Sequence, residues 1–187
     1  AQPLRGPNAP LNALGALLPE MEFWLPAERL HARQVDALCQ QHLLPGVSRP
    51  QLPDAQLHGM LMGFADLVFE HEGRYWVLDY KSNHLGDHPE DYAPARLEAA
   101  MQAHGYHLQH LLYTVALHRH LGRSLAGYDY DRHIGGVLYL FVRGVRPGWQ
   151  LAGQPAGVFH HRCPAATLNA LDALLSARED RVAEEAA

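Results

Sequence analysis

The spacing of apolar and polar residues predicts strands over much of the first half of the chain. Residues 63–69 and 75–81 are rich in β-branched, aromatic and aliphatic side chains. The break His71-Glu72-Gly73-Arg74 between them predicts a hairpin turn. The first of these runs belongs to a longer strand predicted from about 57 to 70, in which Gly59 and Gly63 permit a bend or a close approach. Residues 21–25, stopped by Pro26, predict an earlier strand. Residues 134–142 are apolar at both parities, as in a strand buried on both faces. Helical spacing governs three other stretches. Val35, Leu38 and Cys39 mark a short helix within 27–44. Leu97, Met101, Leu108, Leu111, Leu112 and Val115 predict one long helix from about 91 to 120. Leu168, Leu171, Leu174 and Leu175 predict a closing amphipathic helix from 167 to about 186. Residues 45–53, 82–89 and 147–164 read as irregular, and 1–18 as a linker or a truncated upstream segment. The order strand, short helix, strand, strand, long helix, strand, helix predicts an α/β fold with a mixed central sheet flanked by helices.

The predicted hairpin also carries the chemistry. Side chains alternate across a strand, so Asp79 and Lys81 share one face while Leu78 and Tyr80 take the other. Pairing around the turn can set Asp66 beside Asp79. Two neighbouring carboxylates repel and resist burial unless a cation neutralises them. A hard divalent ion such as Mg²⁺ favours oxygen ligands. Such a metal lowers the pKa of a bound water and stabilises charge on a phosphate. Lys81 can orient that water or stabilise the developing negative charge. This is the chemistry of metal-dependent phosphodiester hydrolysis. An Asp-x-Lys on a strand equally makes a surface ion pair; the Asp66 within a preceding apolar strand is what points further. Gln102, Tyr106, Gln109 and Tyr113 form a second stripe on the long helix. They can bind phosphate or stack on bases, although burying tyrosine rings with their hydroxyls wet is the simpler account of the spacing. Arg143 and Arg146 can attract phosphate or lie in a solvated loop, and Glu22 is expected on a solvated face.

Composition narrows the setting. A chain of 187 residues suits one domain with a real core. Its 48% hydrophobic and 19% charged residues are ordinary for a globular protein. A net charge of −5 is unusual for a general nucleic-acid binder. Either the basic surface is local, or other parts of a larger machine deliver the substrate. Cys39 and Cys163 alone make no disulfide framework, so a reducing, cytoplasmic setting is expected. No apolar run has membrane-spanning length and the start lacks a signal-peptide pattern. The 14 histidines are dispersed, and His160-His161 is too close a pair to define a zinc site.

Gly63-Phe64-Ala65-Asp66-Leu67-Val68-Phe69, Leu78-Asp79-Tyr80-Lys81-Ser82-Asn83, Gln109-x-x-x-Tyr113 and Gly135–Phe141 closely resemble the C-terminal nuclease domains of RecB-type subunits of RecBCD helicase–nucleases. The resemblance runs from about Met21 to the C-terminus, which would make 19–187 a RecB-type nuclease domain. It implies a restriction-endonuclease-like PD-(D/E)xK core. In that family pattern Asp66 and Asp79 are metal ligands, Tyr80 adds its backbone carbonyl, and Lys81 is the catalytic lysine. Gln109 and Tyr113 match the Gln-x-x-x-Tyr element and are implied in DNA binding. The implied cofactor is Mg²⁺, with Mn²⁺ or Ca²⁺ able to occupy the same site; ATP belongs to helicase domains that this sequence does not contain. The implied work is exonucleolytic cleavage of linear duplex ends and unwound single strands in double-strand-break repair. The implied partners are DNA, RecC, RecD and RecA, with no membrane and a cytoplasmic, nucleoid-associated location. One departure stands out. The family has a further metal-ligand histidine on a helix well upstream of the Asp66 strand, and none of His31, His42 or His58 sits in that motif. The chain is therefore expected to be a fragment with an incomplete metal site. The alternative is an inactive nuclease-like module that contacts RecA or partner subunits, although such a relative is expected to have lost the carboxylates or the lysine. An iron–sulfur nuclease of the Cas4 kind fails on cysteine count.

Overall fold

The computed structural model describes residues 15–26, 30–42, 56–57 and 60–185. In chain order these form β1 (Leu17–Pro26), β2 (Leu30–His31), α1 (Ala32–His42), β3 (Gln56–Leu57), β4 (Met60–His71), β5 (Arg74–Lys81), α2 (Pro94–Ala103), α3 (Tyr106–Ser124), α4 (Tyr130–His133), β6 (Ile134–Phe141), β7 (Gln150–Leu151), β8 (Gln154–Pro155), β9 (Val158–His161) and α5 (Ala165–Glu185). A 3-10 turn, Pro89–Tyr92, precedes α2. The main sheet has five strands in the order β1-β4-β5-β6-β9. It is mixed, with β5 antiparallel to β4 and parallel to β6, and β6 antiparallel to β9. This is the α/β arrangement that the pattern predicts.

The chain divides into two compact units. One comprises Ala1–Met21, Ala65–Tyr106 and Asp131–Arg162; the other comprises Glu22–Phe64, His107–Tyr130 and Cys163–Ala187. Each unit has an apolar cluster of its own. In the first, Phe69, Trp76, Leu78 and Leu138 are buried together, with Leu67, Leu140 and Val158 packed against them. In the second, Leu25, Val35, Cys39, Leu111, Leu168 and Leu171 belong to one cluster. Val35 and Cys39 are thus the apolar face of α1, and Leu168, Leu171 and Leu175 that of α5, as the spacing requires. Gly63 lies against the Phe23 ring, where a Cβ would come within 2.4 Å, so the close approach expected there is present. Gly59 and the 45–53 loop lie outside the described residues.

Three elements depart from the sequence pattern. The predicted long helix is two helices, α2 and α3, and α5 exceeds both in length. Gly105 has φ +65°, the left-handed conformation that ends a helix at its C-terminus, and its amide donates to the Gln102 carbonyl at 3.2 Å. The stretch 147–164 is not irregular throughout. It holds the β7–β8 hairpin, turned by Ala152 and Gly153 at φ 50° and 76°, and the sheet strand β9. Of the expected linker, residues 15–18 join the fold: Gly15 donates to the Glu70 carbonyl at 2.9 Å, Glu70 donates to the Ala16 carbonyl at 3.0 Å, and β1 begins at Leu17. Residues 1–14 lie outside the described residues.

Candidate active site

The β4–β5 hairpin positions the acidic residues. Its two-residue turn places Glu72 and Gly73 at φ 52° and 74°, the double left-handed geometry whose twist matches that of paired strands. The ladder runs from His71↔Arg74 to Leu67↔Leu78. The ladder ends at Leu67↔Leu78, one residue short of Asp66 and Asp79, and of these two Asp66 is exposed and Asp79 buried. Here the Asp66 side chain stands in for a backbone partner: its Oδ2 accepts the Tyr80 amide at 2.7 Å. The N–H and C=O of one strand residue point to the same edge. The Tyr80 carbonyl therefore faces the side on which the Asp66 carboxylate lies.

Alternation along β5 has the expected consequence. Asp79 and Lys81 are buried and the Tyr80 side chain is exposed. Lys81 Nζ lies 2.6 Å from Asp79 Oδ2. That contact is an ion pair shielded from water, where opposite charges attract more strongly than at a surface. Beside β5, the buried ring of Tyr139 on β6 is the register partner of Asp79. The segment after Lys81 is tied down: Arg143 Nε donates to the Ser82 carbonyl at 2.9 Å, and the Leu85 amide donates to the Tyr92 hydroxyl at 3.3 Å.

A divalent cation fits this donor set. Two carboxylates on adjacent strands and a main-chain carbonyl turned toward one of them are all-oxygen ligands, the preference of hard cations. Among the described residues no group of three or more His, Cys, Asp and Glu side chains could hold a metal. The aspartate carboxylates that the hairpin carries are those of Asp66 and Asp79. When bound, such an ion supplies neutralisation of the carboxylate pair and of charge on a phosphate.

Gln109 and Tyr113 lie one turn apart on α3 and are joined. Gln109 Nε2 donates to the Tyr113 hydroxyl at 2.7 Å, and that hydroxyl donates to the Phe64 carbonyl at 3.0 Å. Tyr113 is buried, with its ring edge-on to Phe23 at 5.8 Å. A buried ring cannot stack on a base; what it can do is hold the half-buried Gln109 amide. Of the rest of the predicted stripe, Gln102 falls on α2 and bonds to Glu98. Tyr106 opens α3. Glu22 is exposed as expected. Arg143 and Arg146 are held in the loop after β6, Arg146 over the Trp149 ring at 4.6 Å. His160 packs on Trp76 at 5.3 Å between ring centres, and burial holds its pKa below the usual imidazole value.

The profile of the PD-(D/E)XK nuclease superfamily matches residues 13–186. The chain belongs to that superfamily. It is 52% identical over 148 residues to the RecBCD enzyme subunit RecB of Escherichia coli K12, covering 74% of this chain and 12% of that protein. The RecB subunit of Haemophilus influenzae is 42% identical over 158 residues, or 82% of this chain and 12% of its own length. That of Mycolicibacterium smegmatis is 40% identical over 182 residues, or 93% of this chain and 16% of its own length. The chain thus spans 12–16% of the length of these relatives. Enzymes of the superfamily depend on divalent metal. Among the described residues no helix is long and apolar enough to cross a membrane.

One signal in the sequence escapes a motif-based reading. Lys81 is the single lysine of the chain, the other 14 of its 15 basic residues being arginine. That lysine is the one paired with Asp79.

Proposed function

We propose that this chain is the nuclease domain of a RecBCD-type helicase–nuclease and hydrolyses DNA phosphodiester bonds with Mg²⁺. What supports the reading is the β4–β5 hairpin, on which Asp66 accepts the Tyr80 amide and Lys81 pairs with Asp79, in a superfamily whose members are nucleases. In this reading Asp66, Asp79 and the Tyr80 carbonyl hold the metal. Lys81 orients the attacking water or stabilises the charge that develops on the phosphate, and the buried setting strengthens its effect. Gln109 contacts the DNA backbone and Tyr113 fixes its amide. The substrate is linear DNA at double-strand ends and the strands unwound from them. RecC and RecD are the subunits that would deliver it, and RecA the recipient of the product strand. The net charge of −5 accords with delivery by partners rather than capture by the domain's own surface.

The test is release of nucleotides from linear single- and double-stranded DNA with Mg²⁺ or Mn²⁺, by this chain and by a version extended upstream. Asp79→Ala and Lys81→Ala are each expected to lower cleavage by at least about 10²-fold, as loss of a preorganised charge does. Cleavage that survives either substitution refutes the assignment. Silence of both wild-type versions, with binding to RecA retained, would instead identify an interaction module.

A further inference from the structure

Asp79 is not the only group that meets the Lys81 ammonium. The ammonium also lies 3.8 Å from the centre of the Tyr106 ring and 5.2 Å from that of Tyr139. The two rings are nearly parallel, 12° apart with centres separated by 6.2 Å. His104 stacks on Tyr106 at 5.3 Å and 21°. Tyr106 is fixed at both ends. Its hydroxyl donates to Asn83 Oδ1 at 3.3 Å, and its carbonyl accepts the Tyr139 hydroxyl at 3.4 Å. Asn83 Nδ2 in turn lies 3.0 Å from His104 Nε2, so one amide joins the two rings. Asn83 is two residues beyond Lys81. A single segment therefore presents the ammonium and anchors the ring that receives it.

We propose that Tyr106 is a positioning residue for Lys81: its ring face and the Asp79 carboxylate together hold the ammonium in the place from which it acts on the scissile phosphate. This rests on the nuclease reading above. A lysine ends in a flexible four-carbon stem, and an ammonium without a directional partner samples many positions. The face of an aromatic ring attracts a cation, more strongly away from water. Displacing a catalytic group by about 1 Å costs on the order of 10²-fold in rate. A ring that removes this freedom raises turnover without touching DNA.

The single lysine makes the test direct. Protein grown with ¹³C,¹⁵N-lysine gives one set of side-chain resonances, read without metal and without DNA. A ring over the ammonium shifts the Cε protons upfield. Wild type and Tyr106→Phe are expected to show that shift, and Tyr106→Leu to lose most of it. With saturating linear DNA and Mg²⁺, kcat is expected to fall about 2- to 30-fold in Tyr106→Leu at unchanged KM, the range that a cation–π contact represents. Tyr106→Phe recovers most of that loss. A Leu variant that keeps the shifted signal, or that turns over like wild type, overturns the proposal. A Phe variant as impaired as the Leu variant also overturns it, because the hydroxyl rather than the ring would then be responsible. Absence of cleavage from every variant, in this chain and in its upstream-extended version alike, refutes the nuclease reading, while the placement of Lys81 is still decided by the signal.

Discussion

The Asp79–Lys81 pair makes a prediction about stability that is independent of catalysis. The two residues are 4% and 8% exposed, and their charges are 2.6 Å apart. Lys81→Met keeps most of the apolar stem and deletes the charge, leaving the Asp79 carboxylate buried without its cation. Breaking a buried pair from one side costs about 3–5 kcal/mol. For a chain of this size that corresponds to a fall in Tm of roughly 6–20 °C. Asp79→Asn is expected to cost less, because the ammonium retains the ring of Tyr106, a contact of about 0.5–2 kcal/mol. The double variant has no charge to strand and is expected to lie within about 1 kcal/mol of wild type, as uncharged replacements of buried pairs do. The assay is urea unfolding of all four proteins in EDTA, followed by intrinsic fluorescence. A coupling of about 2 kcal/mol or more between the two sites is expected. Added Mg²⁺ should stabilise Lys81→Met more than it stabilises wild type, because a bound cation restores the missing compensation. Single variants that each lose less than about 0.5 kcal/mol and simply add in the double would refute the reasoning, since that is how an exposed pair behaves.

Two further outcomes test the fold around the site. Gly105→Ala is expected to destabilise by about 1–2 kcal/mol in thermal unfolding, because φ +65° strains any residue with a Cβ although nothing lies within 4 Å of it. A continuous helix would instead gain about 1 kcal/mol from the same change, so a stabilised variant refutes the break between α2 and α3. Burial lowers the pKa of His160, with the Gly135 carbonyl opposing part of that shift. The folded state therefore favours the neutral ring, and the unfolded chain takes up the proton first as pH falls. Stability from this residue is complete above about pH 6.5 and is lost as pH drops from there through the lowered folded value. Urea melts between pH 5 and 8 should show a shallower acid decline in His160→Gln than in wild type; equal slopes would sink the assignment.

How legible the molecule was in its sequence depended on what kind of signal each part carries. The β4–β5 hairpin was readable because period-two apolar runs and a Glu-Gly turn agree, and because register follows from the turn once the strands are placed. The burial of Asp79 and Lys81 followed from alternation and from the apolar neighbours on β5. The break at Gly105 was not readable from apolar spacing, since Leu97, Met101, Leu108 and Leu111 keep helical intervals across it. A single glycine within such a pattern is ambiguous between a tolerated interior residue and a cap. The strand β9 was hidden because Val158–His161 is four residues long and half histidine, so its strand state rests on pairing with β6. The Gln109–Tyr113 bond fits their four-residue spacing, but the burial of Tyr113 required knowing that Phe23 lies at its edge.

The strand β5 shows how one element can serve both the core and the chemistry. Its Trp76 and Leu78 belong to the apolar cluster with Phe69 and Leu138. The other parity runs Val77, Asp79, Lys81, all buried, and passes from apolar to charged toward the C-terminal end. Charges in that position are tolerable only while each is compensated, and in the metal-free protein they compensate one another. An ammonium that relied on Asp79 alone would lose its partner whenever the carboxylate is engaged elsewhere. The ring of Tyr106, held by Asn83 and by Tyr139, is a second partner that needs no charge of its own. In the proposed nuclease it would keep Lys81 buried and in place whether Asp79 faces the ammonium or a metal.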